Sequence, residues 1–317
     1  MIPIFVKSFH IKYNYDVPFV CEVHNVDLNH IRNSEIDDLK QLFVTTPVLI
    51  FKNQHITPSK QFEFCSQFDS NYSPRIIHPY LDTSIPESPQ ISFCGKGYIT
   101  NMSSVSDRYV QNDQTGKYSG MWHQDLVGSR DVFPPTVGSM YITHPSNGYT
   151  CFASMEKGYE NMLQCNPKWE LLQGCYRDSF KNVMDCSGYR NLYGYERTDV
   201  RELKHLGKDI QVQALTVFPD KKYNKKALML NPMNFYGFLG YPTSKSHEIM
   251  HKIMGNYVLR ENNVAKVMYK KNNLVLFNNR KVIHSDIPSE EIVSDCIYSQ
   301  LWLNTQDCVR VPKPFLF

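Results

Sequence analysis

Two side chains that could bind a metal stand two positions apart in the segment Met121-Trp-His-Gln-Asp-Leu126. In an extended chain, residues i and i+2 point to the same face, so the imidazole of His123 and the carboxylate of Asp125 can reach one point in space. With one later histidine, such a pair forms a triad of two histidines and one carboxylate. That triad leaves positions of Fe(II) open for substrate, cosubstrate or oxygen, whereas a closed structural zinc site uses four protein ligands.

The H-x-D pattern is weak when it stands alone. The chain contains eleven histidines, and His284-Ser-Asp286 is a second match to the same pattern. A loop histidine held by hydrogen bonds explains either match equally well. The surrounding sequence must therefore decide whether His123 and Asp125 bind a metal.

A rival motif is His247-Glu-Ile-Met-His251. On a helix, histidines at i and i+4 share a face and could bind Zn²⁺ while Glu248 serves as general base, which would make the protein a zinc hydrolase. Lys252 follows the second histidine directly, where a buried active-site helix favours an uncharged residue. The glycine and third histidine of the extended motif are also absent, so this alternative is the less favoured one.

The elements that must position these residues are mostly short strands. Helices are expected at 34–42, at 57–68 behind a Thr57 cap, near 154–164 and near 244–257. Strand-like runs bounded by Pro, Asn or Gly are expected at 47–51, 136–143, 150–152, 227–230 and 273–277. Many short strands with few helices favour an antiparallel sandwich or open barrel over a doubly wound parallel sheet.

Composition excludes several classes of protein. The chain has 317 residues, 42% of them hydrophobic and 21% charged, which is ordinary globular usage. A net charge of +3 gives no support for nucleic acid or a membrane as partner. The nine cysteines are scattered without a C-x-x-C pair, which indicates reduced thiols and a cytoplasmic protein. We expect one domain over 1–317, with a polar lid loop at 102–120.

The sequence downstream of His123 favours a metal site. A Pro pair at Pro134-Pro135 is followed by a strand-like run, by Pro145, by the turn Gly148-Tyr-Thr150 and by a helical segment. Much later, Leu274-Val-Leu-Phe-Asn-Asn-Arg-Lys-Val-Ile-His284 combines a strand, an Asn-Arg turn and a histidine. The order and spacing of these blocks, over roughly residues 90–304, resemble the taurine dioxygenase family of Fe(II)/2-oxoglutarate oxygenases.

The resemblance implies a fold, a reaction and a set of site residues. The fold would be mostly β with flanking helices, around a double-stranded β-helix core of the jelly-roll, cupin-like type. The protein would oxidise a small organic metabolite by hydroxylation or desaturation, with Fe(II), O₂ and 2-oxoglutarate as cosubstrate; a homo-oligomer stays open. By the same resemblance the iron ligands are His123, Asp125 and His284. Thr150 would hydrogen-bond a 2-oxoglutarate carboxylate, Asn101 would lie near the substrate, and Asp286 would neighbour the distal ligand.

One departure from the family concerns the 2-oxoglutarate tail. The family carries an Arg about fifteen residues beyond the distal histidine, whose guanidinium grips the far carboxylate in a bidentate manner. Here Ser299 or Gln300 occupies that place. Arg280 is the first candidate for a substitute cation, and 2-oxoglutarate is expected to bind weakly without one. The alternative function is a catalytically impaired binding or scaffold protein of the same fold.

Overall fold

The computed structural model describes residues 5–6, 9–69, 84–85, 88–99, 108–111, 122–128, 134–177, 210–220, 223–286 and 293–303. The helices within these ranges are α1 (Asn33–Thr45), α2 (Pro58–Ser66), α3 (Met155–Cys165) and α4 (Thr243–Lys252). The strands are β1 (Phe5–Val6), β2 (Phe9–Lys12), β3 (Val20–His24), β4 (Val48–Phe51), β5 (Ser84–Ile85), β6 (Ser88–Ile99), β7 (Arg108–Gln111), β8 (Val137–His144), β9 (Tyr149–Ser154), β10 (Gln173–Arg177), β11 (Ile210–Ala214), β12 (Thr216–Val217), β13 (Ala227–Leu228), β14 (Phe235–Phe238), β15 (Val264–Met268), β16 (Leu274–Asn278), β17 (Val282–Asp286) and β18 (Cys296–Leu303).

Two facing sheets form the core. The larger sheet has the order β1-β2-β3-β4-β16-β8-β18-β6-β5, with β7 added on β6, and the smaller one has the order β15-β9-β17. Apart from the parallel pair β3 and β4, neighbouring strands in both sheets run antiparallel. Apolar side chains from the two inner faces interdigitate, as Phe152 of β9 and Phe277 of β16 do with ring centroids 5.4 Å apart. This arrangement confirms the expected jelly-roll core.

Helices α1 and α2 cover the outer face of the larger sheet. Leu39 and Phe64 project from these helices into a cluster that includes Leu49 and Leu276 of the sheet. Burying large aliphatic and aromatic side chains on both faces explains why β16 is hydrophobic at almost every position, without alternation. A second cluster packs α3 and α4 against the far side of the smaller sheet, through residues such as Ile283.

The four expected helices are present, and Thr57 caps its helix as expected, while Ser154 caps α3 in the same way. The Thr57 hydroxyl accepts a hydrogen bond from the Lys60 N–H at 3.2 Å, and the Ser154 hydroxyl accepts one from Lys157 at 3.2 Å. Each bond satisfies one of the amide groups that a helix N-terminus leaves without a partner. Helix α4 continues into a π-helical turn over Ile253–Val258.

The long strand β6 was not predicted, because its sequence is interrupted by glycines. Gly95 has a φ of +103°, and a Cβ there would collide with the carbonyl oxygen of Cys296 on β18. Gly97 likewise has a positive φ and leaves no room for a Cβ beside Asp295. Glycine in a strand interior is a poor sequence signal for β-structure, but here it permits close approach of two backbones.

Four residues of the expected lid loop belong to a strand. Arg108–Gln111 form β7 and pair with Lys96–Ile99 at the end of β6, and the rest of the 102–120 range lies outside the described residues. None of the described helices has the length and apolar character needed to cross a membrane. The cysteines in the described ranges form no disulfide, and five of the seven are buried.

Candidate metal centre

A short bridge beside the smaller sheet brings the two distant histidines together. The N–H of His123 donates to the carbonyl of His284 at 2.8 Å, and the N–H of His284 donates to the carbonyl of His123 at 2.9 Å. The segment around His123 thus extends the order β15-β9-β17 by one more chain. Side chains of paired residues lie on the same face, so both imidazoles point into the core and their ring centroids are 4.3 Å apart.

The Asp125 carboxylate completes the cluster between the two rings. Its Oδ1 lies 3.6 Å from Nε2 of His123, and its Oδ2 lies 3.7 Å from Nε2 of His284. One possible ligand atom from each residue lies within 4.8 Å of the other two. Two imidazoles and one carboxylate at these separations match the donor set of a facial Fe(II) site. Within the part of the chain that the structure describes, this is the group of residues placed to hold a metal.

Burial makes this cluster unfavourable without a cation. Burial raises the pKa of the Asp125 carboxyl to about 7, against the opposing effect of the His123 imidazole. Smaller effects come from Asp286, which raises that pKa, and from the Trp302 indole N–H, which lowers it. Burial, and then the charge of His123, holds the pKa of His284 well below its usual range. Asp125 Oδ2 and His284 Nδ1 are buried without a hydrogen-bond partner among the described residues, so a bound divalent ion fits the site.

The main chain of Asp125 is held by a single buried side chain. The Asp125 N–H donates to Oδ1 of Asn279 at 2.8 Å, and Nδ2 of Asn279 donates to the Asp125 carbonyl at 3.0 Å. Gln124 adds a second connection, because its Nε2 donates to the Asn279 carbonyl at 2.9 Å and its Oε1 accepts from the Leu230 N–H at 2.9 Å. Both amide side chains are fully buried. The turn between β16 and β17 therefore positions Asp125 as well as His284.

A hydrogen-bonded group lies next to the metal centre on the inner wall. Thr150 pairs with Asp286 across β9 and β17, and its hydroxyl donates to Oδ1 of Asp286 at 2.6 Å. The Tyr298 hydroxyl donates to Oδ2 of Asp286 at 3.2 Å, and the Tyr269 hydroxyl lies 2.7 Å from Oγ1 of Thr150. We call these four residues the Asp286 cluster. Asp286 follows His284 by two positions on the same face, so it borders the metal centre as expected.

The alternation of side chains on β18 separates the two residues expected in place of the family arginine. Gln300 lies on the inner face of β18. Its neighbours on that face are Trp302, which lies near Asp125, and Tyr298, which bonds Asp286. The Gln300 Oε1 accepts a hydrogen bond from the Cys94 thiol at 3.1 Å. Ser299 lies on the outer face, where its hydroxyl donates to Oε1 of Gln61 in α2 at 2.6 Å. The assignment of Ser299 to a cosubstrate site inside the barrel is therefore wrong, because the sheet stands between them.

The position of Arg280, the candidate substitute cation, is fixed by the turn before β17. It belongs to the turn that precedes His284, whereas Thr150 pairs with Asp286 on the other side of His284. Its Nε donates to the carbonyl of Pro134 at 2.8 Å. Arg280 thus precedes β17, whereas Thr150 lies on β9 opposite the last residue of β17; that Arg280 supplies the missing cation stays a prediction.

The rival zinc motif is a surface feature. Glu248 is ion-paired with Lys245 at 2.9 Å and with Lys252 at 2.8 Å, and all three side chains are about half exposed. These lysines lower the pKa of Glu248 to about 2, which is unsuitable for a general base near neutral pH. Among the described residues, His247 and His251 belong to no group of three possible metal ligands. The predicted substrate contact Asn101 lies outside those residues.

Several residues of the site were not assigned roles from the sequence. Gln124 and Asn279 lie inside the sequence motifs that contain Asp125 and His284, and Asp286 is expected only as a neighbour of the distal ligand. The positions of Tyr298 and Trp302 could have been inferred from alternation along β18, had its inner face been known. Tyr269 carries no sequence signal, because it is brought to Thr150 by the pairing of β15 with β9.

Known families and curated proteins share sequence with this chain. The sequence model of the family described as taurine catabolism dioxygenase TauD, TfdA family matches residues 14–291. An alpha-ketoglutarate-dependent xanthine dioxygenase of Emericella nidulans is 25% identical over 132 residues, or 38% of this chain and 34% of that protein. The corresponding enzyme of Neurospora crassa is 28% identical over 163 residues, 41% of this chain and 39% of that one. The matched region thus spans little more than a third of these relatives.

Solved structures show the same fold at low sequence identity. A taurine dioxygenase from Burkholderia xenovorans superimposes with a TM-score of 0.70 at 16% identity, covering 96% of this chain and 92% of that one. The protein AAD-2, solved in complex with Mn(II) and N-oxalylglycine, gives a TM-score of 0.65 at 16% identity, covering 96% and 99%. These likenesses show that the chain shares their fold.

Proposed function

Because the chain belongs to the taurine catabolism dioxygenase TauD, TfdA family, we propose that it is a non-haem Fe(II)-dependent dioxygenase that oxidises a small organic molecule. The observation that carries the proposal is the largely buried triad of His123, Asp125 and His284, in which Asp125 Oδ2 accepts no hydrogen bond from the described residues. Three protein ligands on one side of an ion leave its other positions for small molecules. The proposed setting is the cytoplasm, in keeping with cysteines that form no disulfide in the described ranges.

Iron in this site would supply oxidation by O₂, with a 2-oxo acid as the second reductant. The balanced reaction converts a 2-oxo acid, O₂ and a substrate C–H into a carboxylic acid one carbon shorter, CO₂ and a C–OH group; desaturation would release water instead. The chain's own contribution is to orient the ligands through Asn279 and to surround them with aromatic walls. Phe277 and Phe152 lie 5.1 and 6.0 Å from the His284 ring and exclude water from this side.

The first test is metal binding. Purified protein should bind one Fe(II) anaerobically, and Asp125→Ala should abolish stoichiometric binding because the remaining two histidines cannot balance the charge of the ion. The matched control is Asp16→Ala, which removes an exposed carboxylate elsewhere. Iron bound at undiminished affinity by Asp125→Ala would contradict the assignment.

The second test is oxygen consumption by the iron-loaded protein. Several 2-oxo acids should be supplied, with and without xanthine, which is the substrate in the names of the curated relatives. We expect oxygen uptake that depends on the 2-oxo acid and disappears in Asp125→Ala. If no 2-oxo acid supports uptake while iron binds normally, the protein is a binding or scaffold member of its family.

A further inference from the structure

The Asp286 cluster has a property that the proposed reaction does not use. The Thr150 hydroxyl has one hydrogen, and it is donated to Oδ1 of Asp286. The contact between Tyr269 and Thr150 must then use the hydrogen of the tyrosine, and the Tyr298 hydrogen goes to Oδ2 of Asp286. The Thr150 and Tyr298 hydrogens therefore both go to a carboxylate that belongs to the protein itself, and the Tyr269 hydrogen goes to Thr150.

The protonation of the cluster is consistent with this accounting. Burial raises the pKa of Tyr269 and of Tyr298 well above the usual range, and the nearby Asp286 carboxylate raises both further. The two phenols consequently remain hydrogen-bond donors over the whole physiological range. Thr150 and Tyr298 together form a two-donor cradle around the Asp286 carboxylate, and Tyr269 donates to Thr150 behind it.

The location of the cradle matters for a 2-oxo acid on the metal. A 2-oxo acid chelates through its first carboxylate and its keto oxygen, and its tail extends away from the ion along the inner wall. Asp286 lies on that wall two positions beyond His284, opposite Thr150. A 2-oxoglutarate tail that extends toward Thr150 would bring a second carboxylate to donors already in use, beside a like charge.

We propose that Asp286 takes the place of the distal carboxylate of 2-oxoglutarate, so that the site selects a 2-oxo monocarboxylate with an uncharged tail. This inference rests on the proposed function, because it concerns the ligand of the same metal. Asp286 and its donors do not fit a 2-oxo dicarboxylate whose tail extends toward Thr150. A short 2-oxo acid such as pyruvate has no second carboxylate and so places no charge against Asp286.

The test compares pyruvate and 2-oxoglutarate in anaerobic titrations of the Fe(II)-loaded protein. Binding is followed by the visible absorption of the chelate and by calorimetry, neither of which requires turnover. We expect pyruvate to bind at least about tenfold more tightly than 2-oxoglutarate. Equal affinities, or a preference for 2-oxoglutarate, would overturn the inference and leave the proposed function intact.

Variants at Asp286 separate the role of this carboxylate from other causes. Asp286→Ala should tighten 2-oxoglutarate binding by about tenfold or more, since the ligand's own carboxylate can then occupy the cradle, and should leave pyruvate nearly unchanged. Asp286→Asn keeps the shape without the charge and should show a gain in the same direction, even if the alanine variant folds poorly. Tyr298→Phe keeps the carboxylate, and Asp16→Ala removes an exposed one; both should retain the preference for pyruvate.

The outcomes distinguish the two proposals. If Asp286→Ala and Asp286→Asn both fold, bind iron and leave the ratio of the two affinities unchanged, Asp286 does not select the ligand. If neither acid binds to iron-loaded wild-type protein, both this inference and the 2-oxo acid part of the proposed function are wrong.

Discussion

At the scale of single residues, the metal centre depends on side chains that do not touch the metal. Asn279 bonds both the N–H and the carbonyl of Asp125, so it determines where that carboxylate can point. Partners of this kind restrict the rotation of a ligand and raise its effective affinity for the ion. The fully buried Gln124 supports the same segment from the other side.

Replacing Asn279 by Ala should weaken Fe(II) binding by about 10- to 100-fold. The same change should lower the free energy of unfolding by about 2 kcal/mol, because buried main-chain groups of Asp125 lose their partner. Anaerobic iron titration and urea denaturation measure the two effects. Asn161→Ala is the matched control: its buried Nδ2 donates to the Tyr257 carbonyl at 2.9 Å, far from the triad, so stability should fall without loss of iron affinity.

Gln300 is the position at which a positive charge could be placed in the barrel. Gln300→Arg should tighten 2-oxoglutarate binding by about tenfold or more, because the guanidinium offsets the charge of Asp286 and can donate to the ligand. Gln300→Met, of similar size and without charge, should not. Calorimetric titration of the iron-loaded variants measures the effect, and a gain in the methionine variant would show that charge is not the cause. Ser299→Arg, on the outer face, is not expected to help.

At the scale of elements, the turn between β16 and β17 connects both sheets with the helices. Asn278 donates its N–H to Pro47, Asn279 holds Asp125, and Arg280 donates to Pro134. Lys281 is almost fully buried, donates to the Val44 carbonyl at the end of α1, and lies 3.1 Å from Glu156 at the start of α3. The strand that carries His284 therefore begins from a point with little freedom to move.

Lys281→Met should lower the free energy of unfolding by about 3 kcal/mol, since it leaves the Glu156 carboxylate without its cation. Adding Glu156→Gln should recover part of that loss. Urea denaturation of the single and double variants measures both steps. Lys252→Met, which breaks a half-exposed pair with Glu248, should change the free energy of unfolding far less, because water screens that pair. Equal losses of unfolding free energy in the two lysine variants would show that burial does not determine the strength of these ion pairs.

At the scale of the whole molecule, the triad joins parts of the chain that are far apart in sequence. His123 and Asp125 precede β8, whereas His284 lies on β17 in the last part of the fold. An ion bound by all three residues stabilises the folded state alone, because the unfolded chain does not hold them together.

Saturating Fe(II) or Mn(II) should therefore raise the Tm. At a metal concentration about 100 times the Kd, the stabilisation is about 2.7 kcal/mol, or on the order of 5 °C for a chain of this size. Differential scanning calorimetry under nitrogen measures the shift, and a chelator should reverse it. Asp125→Ala should show no shift; a shift of equal size in that variant would place the metal elsewhere.

The sequence alone was sufficient for features that depend on local order. The cap at Thr57, the strand-like runs, and the i, i+2 spacing of His123 and Asp125 are properties of a few consecutive residues, and the structure has them as expected. The order of the motif blocks was sufficient to expect the jelly-roll core and the third ligand, His284.

Only the tertiary structure decided what surrounds the metal. A shift of one position along a strand moves every side chain to the opposite face. The sequence therefore could not decide whether Ser299 or Gln300 takes the position of the family arginine. The contacts of Asp286 with Thr150 and Tyr298 join three strands of two facing sheets. Tyr269, which contacts Thr150, comes directly after a fourth strand, β15. Such contacts follow from how sheets pair and pack, because long-range pairing leaves no periodic trace in the residues that meet.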